Sequence, residues 1–289
     1  MSVSRAPDFT FVTYDGLPDL DPDDRLAVDA LGARGLGAVP AVWNDPSVDW
    51  TRAGTCIIRS TWDYHLDYAG FLAWTDRVAA VAPLWNPPKI VRWNSNKRYL
   101  EEIERRGAPI VPTAWLRAGE RVDIASFLRG RGWSRAVIKP VVGLATRNVL
   151  MVEPSADGLA RAQAHAEMLL AEQDVMVQPF LESVERYGER ALVFIDGEYS
   201  HAARKTAFQP LAIAGEAGET AVVAEPDEIE VAEEVAGMVE GALYGRVDLV
   251  RDADGKPIVI EFELVEPSLF LSLHPPAAEC FASALARLL

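Results

Sequence analysis

Short apolar runs rich in Val, Ile and Phe alternate with amphipathic stretches along this chain, the pattern of strands interleaved with helices in an α/β fold. The run at 9–14 predicts a first strand. Asp21-Pro22 then predicts a helix start, because an aspartate side chain accepts from free amides of the first turn and proline is tolerated at the first helical position. That helix is expected to end near Gly32, and runs at 38–43 and 55–59 predict two further strands, so the opening reads β-α-β with a parallel sheet. Capping and solvation suffice to explain the acidic loop at 17–24. A helix over 67–81 follows, and Trp85-Asn86-Pro87-Pro88 closes the first lobe.

Beyond that closure, Asn94 or Ser95 is expected to cap a helix reaching Arg106, which sets Lys97 in its first turn. A strand at 109–116, a helix at 123–131 and a strand at 136–140 come next. The loop 143–147 leads into a hairpin return at 148–153, then a helix at 154–172 and a strand at 174–182. Asp196-Gly197 and Asp254-Gly255 each sit between apolar runs, at 189–195 and 198–205, and at 244–250 and 258–265. Asp-Gly accepts the positive φ of a tight reversal, so both read as β-hairpins. The Gly- and Ala-rich stretch 206–224 reads as a mobile loop, and helices are expected at 226–241 and 276–289. No glycine-rich dinucleotide fingerprint follows the first strand, which argues against NAD.

Composition narrows the class. The 289 residues, 49% hydrophobic and 25% charged, can bury a sizeable core in two or three lobes. The formal charge of −15 argues against nucleic acid, whose phosphates call for clustered Lys and Arg. Two cysteines offer neither a disulfide framework nor a thiolate metal site. With no signal-peptide pattern and no apolar run long enough for a bilayer, a cytoplasmic location and no membrane partner are expected.

The last hairpin carries the most chemistry. Asp248 lies on its first arm, and Glu261 and Glu263, two apart on the second, share one face of the strand. Carboxylates on an apolar strand need a positive partner, and hard oxygen donors suit Mg²⁺. The alternative is a solvent-facing edge strand. Lys139 interrupts the apolar strand at 136–140, and Lys97 could join helix amides in meeting phosphate. Gln178-Pro179-Phe180-Leu181 offers backbone polar groups and apolar faces that would suit an adenine. Arg204 could clamp a carboxylate or phosphoryl group, whereas His201 reads as a packing residue rather than a base. Arg59-Ser60-Thr61-Trp62-Asp63-Tyr64-His65 stands at the carboxyl end of the third strand, where open α/β sheets bind ligands, although Trp62 and Tyr64 could equally be packing and Asp63 a cap.

In this order the motifs resemble the ATP-grasp ligases over nearly the whole chain. The resemblance implies an N-terminal Rossmann-like lobe at 1–93, a central subdomain at 94–180 and a C-terminal subdomain at 181–289 carrying the metal carboxylates. It implies that Lys97 and Lys139 contact nucleotide phosphates under the Gly143 loop, that Gln178, Pro179, Phe180 and Leu181 hold adenine, and that Glu189 or Glu182 reaches the ribose. Asp248, Glu261 and Glu263 would bind one or two Mg²⁺, with Mn²⁺ as a substitute, while Arg204 and Arg246 steady the reacting groups. Two positions depart from the wider family: Glu263 stands where Asn is common, and the phosphate loop holds one glycine where many relatives have several. Arg59, Ser60, Thr61, Trp62, Asp63, Asn94 and the Glu266-Pro267-Ser268 tail resemble a bacterial subgroup that includes the O-ureido-serine cyclo-ligase of cycloserine biosynthesis. A small amino-acid-like carboxylate, activated as an acyl phosphate and joined to an amine within or between molecules, is the implied chemistry, with a homodimer as the common assembly. The rivals are a small-molecule kinase on the same grip and a non-catalytic MgATP-binding regulatory module.

Overall fold

The computed structural model describes residues 6–144, 147–206 and 218–289. The expected mobile loop at 206–224 lies largely outside the described residues, as do Ala145 and Thr146 of the glycine loop. Three sheets organise the chain. The first has strand order β2-β1-β3-β4 and is parallel throughout, built from β1 (Phe9–Thr13), β2 (Ala38–Val42), β3 (Thr55–Ser60) and β4 (Leu84–Trp85), with helices α1 (Pro22–Ala33) and α2 (Tyr68–Ala79) as its crossovers. Asp21 caps α1 as expected, accepting from Asp23 N at 2.8 Å. Asp19 is exposed, but Asp23 and Asp24 are buried rather than solvated: Asp23 accepts from Leu271 N at 2.8 Å and Ser272 N at 2.7 Å, and Asp24 accepts from Arg59 and Ser60.

Two short helices, α3 (Pro88–Asn94) and α4 (Tyr99–Arg105), lead onward. Asn94 is therefore no cap. It ends α3 with its side chain buried, donating to Phe262 O at 2.6 Å and accepting from Leu264 N at 2.6 Å. The second sheet, ordered β5-β8-β6-β7, is antiparallel: β5 (Ala114–Leu116), β6 (Ala136–Pro140), β7 (Leu150–Val152) and β8 (Val175–Pro179), with α5 (Ile124–Arg131) and α6 (Ala156–Leu170) interposed. The strand expected at 109–116 is shortened, since its first half only touches Val259 through an isolated bridge at Ile110.

After α7 (Ser183–Arg186), the third sheet runs β11-β10-β9-β12-β13, from β9 (Glu189–Ile195), β10 (Glu198–Lys205), β11 (Thr220–Val222), β12 (Tyr244–Arg251) and β13 (Pro257–Glu263). Both Asp-Gly reversals form; Asp196 and Gly197 take φ of 54° and 83°, the left-handed pair that a two-residue hairpin turn needs. One face of this sheet, with Val247 and Leu249, packs with Ala232 and Val235 of α8 (Pro226–Ala236). The other face, with Ala191, Val193 and Tyr244, joins a core shared with Phe9, Phe11 and Leu31 of the first lobe and Phe281 of α9 (Pro276–Ala286). The chain's last helix thus completes the first lobe's core. Asn86 ties the same seam: its amide donates to Tyr244 O at 2.9 Å and Leu264 O at 2.7 Å, and its carbonyl accepts from Leu243 N at 2.7 Å.

Candidate active site

Between the second and third sheets lies a cavity of about 250 Å³ lined by residues from all three lobes, including Trp62, Lys97, Lys139, Lys205, Arg246 and Glu261. Its floor is the hairpin β12–β13. Asp248 pairs with Glu261 across the ladder and Arg246 with Glu263, so the alternation of each strand turns these four side chains to one face. Carboxylate oxygens of Asp248, Glu261 and Glu263 lie within 4.8 Å of one another. β13 is an edge strand of its sheet, but its acidic face is not simply solvated: Asp248 is fully buried and cations meet the other two carboxylates.

The charges are closely matched. Arg246 Nε donates to Asp248 at 2.7 Å, and its Nη2 to Glu263 at 2.5 Å and Asp248 at 2.9 Å. Lys205 bridges Asp248 at 2.5 Å and Glu189 at 2.9 Å, and Lys97 meets Glu261 at 2.7 Å and Gly143 O at 2.9 Å. Burial opposes charge on all of them, and the pairings decide the outcome. Arg246 and Lys205 hold Asp248 below the usual carboxylate range, and Lys97 with Lys139 does the same for Glu261. For Glu263, burial prevails over Arg246 and raises it. Three hard carboxylates, one of them raised by burial, are a donor set that fits a divalent cation of the Mg²⁺ kind.

Lys139, 8% exposed on β6, makes no hydrogen bond or ion pair with a described residue, and burial holds it below the usual lysine value despite Glu261. It is a buried cation without a direct anion among the described residues. Gly143 roofs the site, and only glycine fits there: a Cβ would stand 2.8 Å from Pro140 Cγ. Lys97 precedes α4 rather than lying in its first turn, so it reaches the site through Glu261 and Gly143 O, not beside helix amides.

An apolar slot of Val111, Val137, Leu181, Val184 and Ile260 continues the cavity beside Gln178, Pro179 and Phe180. The Gln178 amide is turned to Thr113 Oγ1 at 2.8 Å, and Phe180 carries Arg135 over its ring at 3.8 Å while its N–H donates to Arg135 O. Glu189 lines the cavity, and Glu182 is exposed away from it.

Several expected residues stand elsewhere. Arg204 donates to Tyr187 O at 2.8 Å and to Arg186 O, on the strand face opposite Lys205, so it does not line the cavity. The cation that β10 supplies is Lys205, which the sequence reading passed over. Arg59 is buried, its guanidinium on Asp24 at 2.8 Å, on Pro267 O at 2.8 Å and 4.8 Å above the Tyr244 ring. Ser60 Oγ is given to Asp24 at 2.6 Å, and Thr61 is fully buried. Arg59 ties the first lobe to the segment at Pro267, Ser60 bonds within the lobe, Thr61 Oγ1 has no hydrogen bond to a described residue, and none of the three lines the cavity. Asp63 accepts from Trp43 Nε1 at 2.7 Å. From that segment Trp62 and Tyr64 line the cavity, together with Ser268. His201 is a packing residue as expected, with its Nε2 2.9 Å from Leu269 O and its ring stacked on His274.

Comparison with known proteins bears on this arrangement. Residues 9–86 match the family model of the D-cycloserine synthetase DcsG N-terminal domain. The chain is 37% identical to the cycloserine biosynthesis protein DcsG of Streptomyces lavendulae, covering 93% of this chain and 94% of that protein. The crystal structure of D-cycloserine synthetase DcsG superposes with a TM-score of 0.88 at 34% identity, over 97% of this chain and 99% of that one. The fold alone is shared with a RimK-domain ATP-grasp protein from Sphaerobacter thermophilus, at a TM-score of 0.69 and 19% identity over 96% and 98% of the two chains. A carboxylate hairpin facing lysines across a cleft between two sheets, on a chain alike from end to end, places this protein in the ATP-grasp superfamily: it belongs to the DcsG family of ATP-dependent carboxylate–amine ligases.

Proposed function

We propose that this chain activates the carboxylate of a small amino-acid-like substrate, O-ureido-D-serine by analogy with DcsG, and closes it onto its own nitrogen. The observation that carries the reading is the grouping of Lys97, Lys139, Lys205 and Arg246 around three carboxylates in one cavity. Four fixed cations in a desolvated site offset the charge that develops on a transferring phosphoryl group. Asp248, Glu261 and Glu263 are the residues that would hold Mg²⁺ or Mn²⁺, which when bound supplies further neutralisation of the phosphates.

Lys139 and Lys97 receive the nucleotide phosphates, and the apolar slot at Val137, Leu181 and Ile260 takes the base, with Glu189 toward the ribose. Arg246 steadies the acid, whose carboxylate oxygen attacks the γ-phosphorus in line. The P–O bond to ADP breaks, and the resulting acyl phosphate is attacked by nitrogen, which expels phosphate. No side-chain nucleophile is needed. The work is done in the cytoplasm on small molecules.

The test incubates the protein with MgATP, hydroxylamine and a panel of amino acids and O-substituted serines, following ADP and hydroxamate together. Acid-dependent signals in both are expected. ADP release with a stable phosphorylated product, identified by mass, would indicate a kinase instead. Glu261→Gln is expected to lose at least about 100-fold in ADP release with its fold intact, and near-parental turnover would remove Glu261 from the metal site.

A further inference from the structure

Two acidic side chains of the cavity, Glu219 and Glu266, are left over by this chemistry, and Glu266 is the more deeply buried. Glu266, three residues beyond the end of β13, is 6% exposed and lines the cavity, and its carboxyl makes no hydrogen bond or ion pair with a described residue. Trp62 Nε1 donates to its main-chain carbonyl at 3.2 Å, which fixes the backbone and leaves the carboxyl free. The groups that act on it are Glu263, Lys97, Glu261 and Arg246. Both of those cations are already committed, Lys97 to Glu261 and Gly143 O, Arg246 to Asp248, Glu263 and Ser268 O. Beside Glu266 in the cavity stands Tyr64, whose hydroxyl also has no hydrogen bond to a described residue and whose ring is held by stacking on Phe71 at 5.0 Å.

A nearly buried carboxyl without a partner is costly unless a ligand supplies one. Nucleotide phosphate cannot, since like charges repel. The ligand group that fits is a compact cation on a small molecule. We propose that Glu266 forms the substrate-ammonium subsite, receiving the protonated α-amino group of the carboxylic substrate with the Tyr64 hydroxyl beside it. This rests on the ligase reading and deepens it: the substrate class becomes α-amino acids with a free amine, excluding N-acyl and des-amino acids. Burial raises the Glu266 carboxyl well above its usual value, and an arriving ammonium draws it back to the carboxylate.

The experiment compares the wild type with Glu266→Gln, which keeps size and removes charge. The substrates are O-ureido-D-serine and its des-amino analogue, 3-(ureidooxy)propanoate, with ADP release as the readout. Wild type is expected to favour the amino acid by at least about 100-fold in kcat/KM, a typical difference for a buried charge contact. In Glu266→Gln the preference should fall to within about tenfold, through loss on the amino acid alone, while MgATP affinity stays unchanged. Retained preference overturns the assignment, and so does an equal loss on both acids, which would mark a role independent of the amine. If wild type releases ADP with neither acid, the O-ureidoserine reading fails. The subsite is then decided by calorimetry of D-serine on the MgATP complex: binding that the Gln variant loses supports it, and absent or unaltered binding overturns it.

Discussion

Replacing Lys139 with Met separates stability from nucleotide binding, because the lysine is buried without a direct anion among the described residues. Met keeps the length and apolar stem of the side chain. Two terms act on the free protein. Removing a desolvated ammonium that is 8% exposed relieves a burial cost, while Glu261 loses one favourable neighbour but keeps Lys97 at 2.7 Å. The balance is a gain of about 0 to 1 kcal/mol, in line with exchanges of buried charge for apolar groups. That corresponds to a Tm unchanged or higher by about 2 °C for a chain of this size. The nucleotide-bound state loses a charge-assisted hydrogen bond to phosphate of about 1.5–3 kcal/mol, so the MgATP Kd should rise about 10- to 150-fold. Thermal unfolding and calorimetry read the two effects on one preparation. A lower Tm with an MgATP Kd within about threefold of wild type would refute the reasoning, since it would make Lys139 a structural cation.

The remaining predictions test other assignments. Lys205→Ala should lower turnover by about 100-fold or more, whereas Arg204→Ala, which only loses bonds to the Tyr187 and Arg186 carbonyls, should stay within about threefold; the reverse order would restore Arg204 to the site. Asn86→Ala strands two carbonyls and one amide at the lobe seam, and should cost about 3 kcal/mol in urea unfolding at roughly 1 kcal/mol for each bond. His201 is driven down to about 4 by burial and by His274, so below its unfolded value near 6.5 the unfolded chain takes up a proton that the folded one refuses. Its stability contribution is complete above pH 6.5 and is lost as pH falls toward 4, on the order of 2 kcal/mol by pH 4.5. His201→Gln should flatten that part of the urea-midpoint profile, and an unchanged slope between pH 7 and 4.5 would refute it.

The strands, hairpins and most helix starts were legible because local chemistry dictates them. Asp21-Pro22 opens α1, and Asp196-Gly197 reverses β9 into β10. The three carboxylates were legible for the same reason, since period-2 alternation on one strand needs no knowledge of its neighbours. Arg204 and Lys205 show where this fails. Counting back from the two-residue turn gives the pairing Tyr199↔Phe194, but a bulge between Tyr199 and His201 shifts the register, so that Lys205 faces Glu189. One inserted residue exchanges the two faces of everything beyond it. No local signal marks that bulge, and the planar fork that singles out Arg204 in the sequence says nothing of which face it takes; Lys205 is the one that lines the cavity. Arg59 failed for a different reason. Its position at the carboxyl end of a strand was read correctly, but Asp24, Pro267 and Tyr244, which absorb its charge, are brought to it only by the packing of distant segments.

Partner exchange links the ligand-free structure to the chemistry. Asp248, Glu261 and Glu263 are each met by Arg246, Lys205 or Lys97, so these carboxylates carry little uncompensated charge despite their burial. The carboxylates would hold the divalent cation and the cations would meet phosphate, which means that binding MgATP replaces existing pairs instead of burying new charge. Desolvation has then been met during folding, and the affinity reflects the difference between two sets of contacts. Lys139 and Glu266 stand outside this exchange, one buried cation and one buried acid in the same cavity without a direct partner among the described residues. Each is left unpaired for a group that only a ligand brings: a phosphate for the lysine, an ammonium for the glutamate. On the proposed reading, selectivity for nucleotide and for amino acid draws on these two residues, which have no direct partner among the described residues.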